Sequence, residues 1–210
     1  MPSPSANVGE ICVSVVELPG PFFRTHGLRR SPLSAGNTGL NRFDAPDASY
    51  AVLYLGCDAH CAFVETFMHA TGTRTITTAA LKDRALSQLK PRKPLRLIDL
   101  SAPGALVRMG VDSRLFAGEY KRAQLWSKAL HGHPVKAHGL LYPSCLDPSR
   151  RAVALFLDRP AQFAELSRQS WYAPGSQRIL LAEIAGQYKI ELIESEFVAS
   201  RKPVRQQTMF

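Results

Sequence analysis

Residues 50–67, which read YAVLYLGCDAHCAFVETF, constrain the fold of this chain more than any other segment. Residues 51–55 are apolar and include β-branched and aromatic side chains, which predicts a strand. Gly56 ends that strand, and Asp58 is a typical N-cap for a helix over residues 59–69. A strand that turns at once into a packed helix predicts a sheet with a helix against it.

The same helix carries one acidic residue, Glu65, among apolar neighbours. Because each helical residue turns by about 100°, Glu65 lies about 200° around the helix from Phe63, on a side that also carries Cys61 and Met68. A carboxylate on such a packed helix is suited to chemistry in a cleft. The alternative is a solvent-exposed helix glutamate, since glutamate is rarely buried without a partner.

The rest of the chain mixes short strands and helices without a regular alternation, which predicts an α+β fold with mixed or antiparallel sheets and flanking helices. A chain of 210 residues is long enough for one substantial core, so we expect a single domain. Further strands are predicted at residues 11–18, 22–26, within 71–80, 95–100, 139–142, 152–156 and 190–193. Further helices are predicted at residues 81–89, 102–109, 120–130, 161–169 and 178–187.

Three further segments are defined by composition rather than by periodicity. Residues 1–10 are small and polar, which predicts a disordered N-terminus before a domain over residues 11–200. Residues 201–210 form a basic tail. Residues 29–47 are rich in Ser, Pro, Gly, Asn and Asp and therefore predict a loop, and loops of that length are often functional.

The net charge of the chain limits the classes of possible binding partner but does not identify one. Its 26 basic and 17 acidic side chains give a net charge of +9, which attracts phosphates, nucleic acids or acidic proteins. No stretch of about 18 apolar residues is present, so we expect no membrane span. The first residues do not resemble a signal peptide, so we expect a cytoplasmic protein. The dinucleotide and P-loop glycine motifs and the RNA-recognition signature are missing, which disfavours those folds.

Cysteine and histidine spacing leaves a metal site and a nuclease site open as alternatives. Cys57 and Cys61 could bind a metal with Cys145 or a histidine, but no second closely spaced pair exists, so we favour buried free thiols in a reducing cytosol and no metal. His131, His133 and His138 share one polar loop, where a metal site or an acid/base pair is conceivable. With the basic residues 82–96, that loop supports a second hypothesis: a basic nucleic-acid-binding protein or nuclease.

Four segments in this order carry a family resemblance: 23–26 (FRTH), 41–46 (NRFDAP), 50–67, and 140–156 (LLYPSCLDPSRRAVALF). Together they resemble the RES-domain family, whose name refers to an Arg, a Glu and a Ser. Those residues would here be Arg24, Glu65 and Ser144. The resemblance covers roughly residues 22–159. The chain departs from it at residues 42–44, which read Arg-Phe-Asp where the family often reads Arg-Trp-Asn.

The resemblance implies a fold similar to the diphtheria-toxin-like ADP-ribosyltransferases, with NAD as substrate and no metal. It also implies the toxin role in a RES–Xre type II toxin–antitoxin pair, with a DNA-binding antitoxin as partner. Members of the family cleave the nicotinamide–ribose bond of NAD and pass ADP-ribose to water, phosphate or a protein. The sequence leaves the choice of acceptor, and of any protein target, open.

The resemblance also implies roles for individual side chains. Glu65 would stabilise the ribosyl cation, because cleavage of a glycosidic bond develops positive charge on the sugar. Arg24 and Arg42 would bind the pyrophosphate or a ribose, since a guanidinium contacts two phosphate oxygens at once. Tyr54 would stack on the cationic nicotinamide, and Ser144 would orient a ribose hydroxyl. The plainer alternatives are salt-bridged or exposed arginines, a core tyrosine and an isolated serine.

Overall fold

The structure is a computed structural model that describes residues 1–36, 38–68, 72 and 74–195. Within these residues the strands are β1 (Val15–Leu18), β2 (Phe22–Gly27), β3 (Val52–Gly56), β4 (Thr75–Thr77), β5 (Arg84–Pro91), β6 (Leu95–Asp99), β7 (Gly139–Pro143), β8 (Arg151–Phe156), β9 (Phe163–Ser170) and β10 (Glu191–Ile193). The helices are α1 (Ala59–Phe67), α2 (Thr78–Lys82), α3 (Ala105–Met109), α4 (Arg114–Ala117), α5 (Tyr120–His131) and α6 (Ser176–Tyr188).

The strands form one large mixed sheet and one small one. The large sheet has eight strands in the order β1-β6-β7-β8-β3-β2-β5-β9, and its neighbours are antiparallel except for the parallel pair β6–β7. β4 and β10 pair in parallel as a separate two-stranded sheet. This architecture confirms the α+β fold with flanking helices. None of the described helices has the length and hydropathy to cross a membrane.

The large sheet is divided between β3 and β2. β3 pairs with β8 through five residue pairs and β2 with β5 through six, whereas the described register between β2 and β3 contains one pair, Phe23 opposite Gly56. Five strands therefore lie on one side of this junction and three on the other. Where the ladder stops, the side chains of β2 and β3 are free to line a gap between the two halves.

Alternation along β3 explains how the five-stranded half is buried on both faces. Val52 packs into a cluster with α5, whose Trp126 is buried, while Leu53 and Leu55 pack into a second cluster with β6 and β7. Successive strand residues point to opposite faces, so a strand covered on both sides is apolar throughout. A third cluster joins α1 to α6 around Trp171.

The turn from β3 into α1 follows the sequence prediction closely. The Asp58 side chain accepts a hydrogen bond from the Cys61 amide at 2.8 Å, which confirms it as the N-cap. A Cβ atom at Gly56 would lie 2.7 Å from both the Ala62 nitrogen and the Asp58 oxygen, so the strand needs a glycine there. The described helix ends at Phe67, and His69 lies outside the described residues.

Most of the remaining predicted elements are present with small shifts in their ends. The strands expected at residues 22–26, 95–100, 139–142 and 152–156 are confirmed, as are the helices expected at 120–130 and 178–187. The strand expected at 11–18 starts at Val15, and the helix expected at 102–109 starts at Ala105. The described residues of the segment 29–47, which exclude Asn37, form a loop. One isolated bridge pairs Gly36 in this loop with Val52 in β3.

Two predicted helices are wrong. Residues 84–91 form the strand β5, although Leu81, Ala85 and Leu89 are all buried at a four-residue spacing that imitates a helix face. β5 lies between β2 and β9, and its buried face carries the polar Ser87 while Leu86 is buried on the opposite face, so apolar and polar residues do not alternate along it. Residues 163–170 form β9, an edge strand whose side chains are mostly exposed, so its hydrophobic pattern carries little information.

Residues at the N-terminus contact α5 in the structure, and the expected disorder of residues 1–10 remains a prediction. Val8 is buried within a short 3₁₀ turn (Val8–Glu10), and the Trp126 indole nitrogen donates to the Pro2 carbonyl at 3.0 Å. A buried indole needs an acceptor, and the N-terminal backbone supplies it. The basic tail over residues 201–210 lies outside the described residues, and the domain limits of 11–200 remain a prediction.

Gly56→Ala should destabilise the protein by about 1–3 kcal/mol, because the new methyl group would press on the backbone of α1. Gly186→Ala is the matched control: it lies in α6 with open space where a methyl group would be added, and should stabilise by about 0.4–1 kcal/mol. Urea denaturation of both variants measures the difference. Equal stability of the two variants would contradict the tight strand–helix turn.

Candidate active site

A cleft of about 190 Å³ opens where the two halves of the sheet separate. Four of the five predicted site residues line it, and all four family-like segments contribute side chains. Ser144 is buried directly behind Glu65. The described lining residues are Phe23, Arg24, Thr25, Asn41, Arg42, Tyr54, Leu55, Gly56, Ala62, Glu65, Thr66, Phe116, Tyr120, Tyr142, Cys145 and Ala152.

Ser144 fixes the carboxylate of Glu65. The Ser144 hydroxyl donates to Glu65 Oε1 at 2.5 Å and accepts from the amides of Leu146 and Asp147, each at 3.2 Å. A hydroxyl has one proton and two lone pairs, so these three bonds use its whole capacity and direct the proton at Glu65. Among the described residues, no donor contacts Glu65 Oε2. One carboxylate oxygen is therefore held while the other remains available.

Arg24 and Arg42 contribute positive charge to the cleft. Arg24 Nη1 donates to the Pro32 carbonyl at 2.5 Å, and Arg42 Nη1 donates to the Gly118 carbonyl at 2.8 Å. The Arg42 guanidinium also lies 4.6 Å above the Tyr120 ring. Burial lowers the pKa of Arg24 to about 10, which still leaves it protonated at neutral pH. Neither arginine has an ion-pair partner among the described residues, so the cleft favours an anionic ligand.

Tyr54 connects the cleft to the loop that carries Arg42. Its hydroxyl donates to Asp44 Oδ1 at 2.9 Å and accepts from the Phe43 amide at 3.0 Å. Asp44 is fully buried, and its Oδ2 also accepts from the backbone and side-chain nitrogens of Asn41 at 3.1 and 3.0 Å. Burial raises the pKa of Tyr54, which keeps the hydroxyl protonated as a donor. The tyrosine therefore braces this loop, and its ring lines the cleft.

Several lining residues were missed by the sequence interpretation. Tyr142 is buried, packs edge-on against Phe43 at 4.7 Å between ring centroids, and has a pKa raised well above its ordinary value by burial. Tyr142 and Cys145 flank Pro143 and Ser144 within a family-like segment, so their positions could have been inferred. Tyr120 and Phe116 reach the cleft from α5 and α4, and their local sequence contains no signal for such a role.

The three histidines proposed as an acid/base pair or metal site are each engaged in structural contacts. His131 stacks on Tyr50 with ring centroids 4.0 Å apart, and its Nε2 lies 2.8 Å from Asp158. His133 Nε2 donates to the Ile11 carbonyl at 3.1 Å, and His138 Nδ1 accepts from the Arg96 amide at 3.0 Å. None of the three lines the described cleft, so the nuclease alternative gains no support from them.

The cysteines are unpaired, but the prediction that they are buried thiols is only partly correct. Cys61 is buried and Cys57 is half-buried, whereas Cys12 and Cys145 are exposed. The exposed Cys145 is one of the residues that line the cleft. Within the part of the chain that the structure describes, no three His, Cys, Asp or Glu residues are grouped to bind a metal ion.

Comparison with known proteins identifies the family. The chain matches the RES domain over residues 21–177, and it therefore belongs to the RES family. It is similar in structure to a chain from the crystal structure of the M. tuberculosis MbcT–MbcA toxin–antitoxin complex. The TM-score is 0.64 at 20% sequence identity, covering 85% of this chain and 98% of that chain, which shows a shared fold. No curated protein matches the sequence at a significant level.

We expect inorganic pyrophosphate to bind the cleft and raise the melting temperature. Arg24→Ala or Arg42→Ala should each weaken binding by roughly tenfold or more, because a hydrogen bond to a charged group contributes about 1.5–3 kcal/mol. Arg96→Ala is the control, since Arg96 lies on β6, outside the cleft lining, near Glu17. Thermal shift titration at fixed ionic strength measures these affinities. An equal loss of pyrophosphate affinity in all three variants would contradict binding through the two cleft arginines.

Proposed function

We propose that this protein is a NAD-consuming enzyme that cleaves the nicotinamide–ribose bond and acts as the toxin of a toxin–antitoxin pair. The observation that carries the proposal is a cleft lined both by a half-buried carboxylate, Glu65, and by two arginines without protein counter-ions among the described residues. NAD combines a dianionic pyrophosphate with a cationic nicotinamide on a ribose. Membership of the RES family and the shared fold support this substrate.

The reaction would proceed by loss of nicotinamide from the ribose. The C1′–N bond breaks with its electron pair moving to the nicotinamide nitrogen, which leaves a neutral ring and an oxocarbenium-like ribose. Glu65 would stabilise that positive charge and accept a hydrogen bond from a ribose hydroxyl. The acceptor then attacks C1′, and with water as the acceptor the proton is released to the solvent. The chemistry requires no metal ion.

The other side chains would hold NAD in position for this step. Arg24 and Arg42 would bind the pyrophosphate, and the Tyr54 ring would lie against the nicotinamide. We assign Ser144 to Glu65 rather than to a ribose hydroxyl, since its hydrogen-bonding capacity is already used. Preorganisation of this kind lowers the cost of aligning the carboxylate with the ribose during the reaction.

A partner protein is part of the proposal. The structural neighbour comes from a toxin–antitoxin complex, which supports an antitoxin partner. In our proposal this antitoxin covers the cleft and carries a DNA-binding domain. The net charge of +9 suits an acidic segment on that partner, because complementary charge directs association. Water, phosphate and a protein side chain remain three possible acceptors, since Glu65 would serve the ribosyl cation in each case.

Purified protein should release nicotinamide from NAD, and Glu65→Gln should reduce the rate by about 100-fold or more. Glutamine retains an oxygen that accepts the Ser144 hydrogen bond, so the fold should survive while the negative charge is lost. Chromatography of the products, with water, phosphate and cell lysate offered in turn, measures cleavage and identifies the acceptor.

Glu17→Gln is the matched control for this experiment, because Glu17 lies on β1 and its side chain is 63% exposed. It should cleave NAD at the wild-type rate. Intact NAD after incubation with folded wild-type protein and all three acceptors would refute the proposed activity. Full activity in Glu65→Gln would instead remove Glu65 from the mechanism.

Induced expression in a bacterial host should deplete cellular NAD and stop growth, because the substrate is shared by central metabolism. The Glu65→Gln variant, expressed to the same level, should leave both growth and NAD unchanged. Enzymatic cycling assays of NAD in cell extracts measure the depletion. Growth arrest by the Glu65→Gln variant with normal NAD would contradict an NAD-dependent toxin.

A further inference from the structure

The loop at residues 144–150 is tied to α1 at both ends. At one end Ser144 donates to Glu65 in the last turn of the helix. At the other end Arg150 Nη1 contacts Asp58 Oδ2 at 3.1 Å, and Asp58 is the N-cap of the same helix. The loop closes on itself through the Ser144 amide, which donates to the Arg150 carbonyl at 2.9 Å. The carboxylate and its serine partner therefore belong to one closed network.

Asp147 is the residue that organises the interior of this loop. Its Oδ1 accepts from the amide and hydroxyl of Ser149 at 3.1 and 2.6 Å, and its own amide donates to Ser144 Oγ. Arg150 Nε lies 3.7 Å from Asp147 Oδ2. Any change in the position of Asp147 would move one of the two amides that direct the Ser144 proton toward Glu65.

Tyr188 holds Asp147 from a different part of the fold. It is the last residue of α6, and its hydroxyl donates to Asp147 Oδ2 at 2.7 Å. Burial and the hydrogen bond to Asp147 raise the pKa of Tyr188 to about 12, so it is a donor at neutral pH. Burial alone would raise the pKa of Asp147, but the bonds from Ser149 and Tyr188 outweigh it and lower that pKa.

We propose that Tyr188 is a positioning residue for Glu65, acting through Asp147 and Ser144. Tyr188 does not line the cleft, so its effect would pass through the 144–150 loop. It also lies beyond residues 21–177, the part of the chain that matches the RES domain. The inference rests on the proposed function, because it assigns the end of α6 to the alignment of the carboxylate in that reaction.

Tyr188→Phe removes the hydroxyl and keeps the ring against His60, whose centroid lies 6.4 Å away. It should lower kcat for NAD cleavage by about tenfold and leave KM within about twofold, since the arginines that bind NAD are untouched. Tyr172→Phe is the matched control. Its ring packs in the same cluster but contacts Lys82 and Arg178 rather than the 144–150 loop, and its kcat should not change.

A double-mutant cycle tests the route of the effect. In a Ser144→Ala background, Tyr188→Phe should cause no further loss of kcat, because the hydroxyl through which it acts is already missing. Losses that multiply in the double variant would overturn the proposal, as would wild-type kcat in Tyr188→Phe. Circular dichroism and urea denaturation of each variant separate a loss of alignment from a loss of fold.

Amide hydrogen exchange tests the same proposal without NAD. In Tyr188→Phe, the amides of Leu146 and Asp147 should exchange about tenfold faster, while those of β7 and β8 keep their protection. If wild-type protein leaves NAD intact, the proposed function fails and faster exchange still supports the link from Tyr188 to the loop. Unchanged exchange at Leu146 and Asp147 would overturn the link whatever the enzymatic result.

Discussion

The residue pair that joins the two halves of the large sheet, Phe23 opposite Gly56, determines where the cleft forms. On either side of it, β2 and β3 each pair fully with their other neighbours, so the separation between them is localised rather than spread over the sheet. Gly56 also allows α1 to begin directly against the strand end. The same backbone position therefore joins the two halves beside the gap and brings the helix that carries Glu65 to the edge of that gap.

The charges in the cleft remain separate because each has a neutral partner. Glu65 is held by a hydroxyl, while Arg24 and Arg42 are held by backbone carbonyls. A direct ion pair between the acid and an arginine would neutralise both groups and leave little field for a ligand. With hydroxyl and carbonyl partners, the carboxylate can act on a developing cation while the arginines act on an anion in the same ligand.

The sequence predicted those parts of the fold and site that local chemistry determines. The strand, Gly56, the Asp58 cap and Glu65 follow from residue types at short spacing, and the structure places them as expected. Arg24, Arg42 and Tyr54 came from the family resemblance, and the structure brings all three to the cleft of Glu65. The sequence pattern does not identify β5 and β9 as strands, because β5 has the polar Ser87 on its buried face and β9 is an exposed edge strand. Tyr120 and Tyr188 reach the site network from distant helices, and only the tertiary fold determines such contacts.

The network around Glu65 has an inner part within the matched RES region and an outer part beyond it. The inner part contains Glu65, Ser144 and Asp147, while Tyr188 on α6 supplies the outer hydrogen bond. α6 packs against α1 in a core of its own, so the helix that bears the carboxylate and the loop that orients it share one support. A change in the packing of α6 would therefore shift the helix and the loop together. The alignment of Glu65 thus depends on how the helices on this side of the domain pack, as well as on its own hydrogen bond to Ser144.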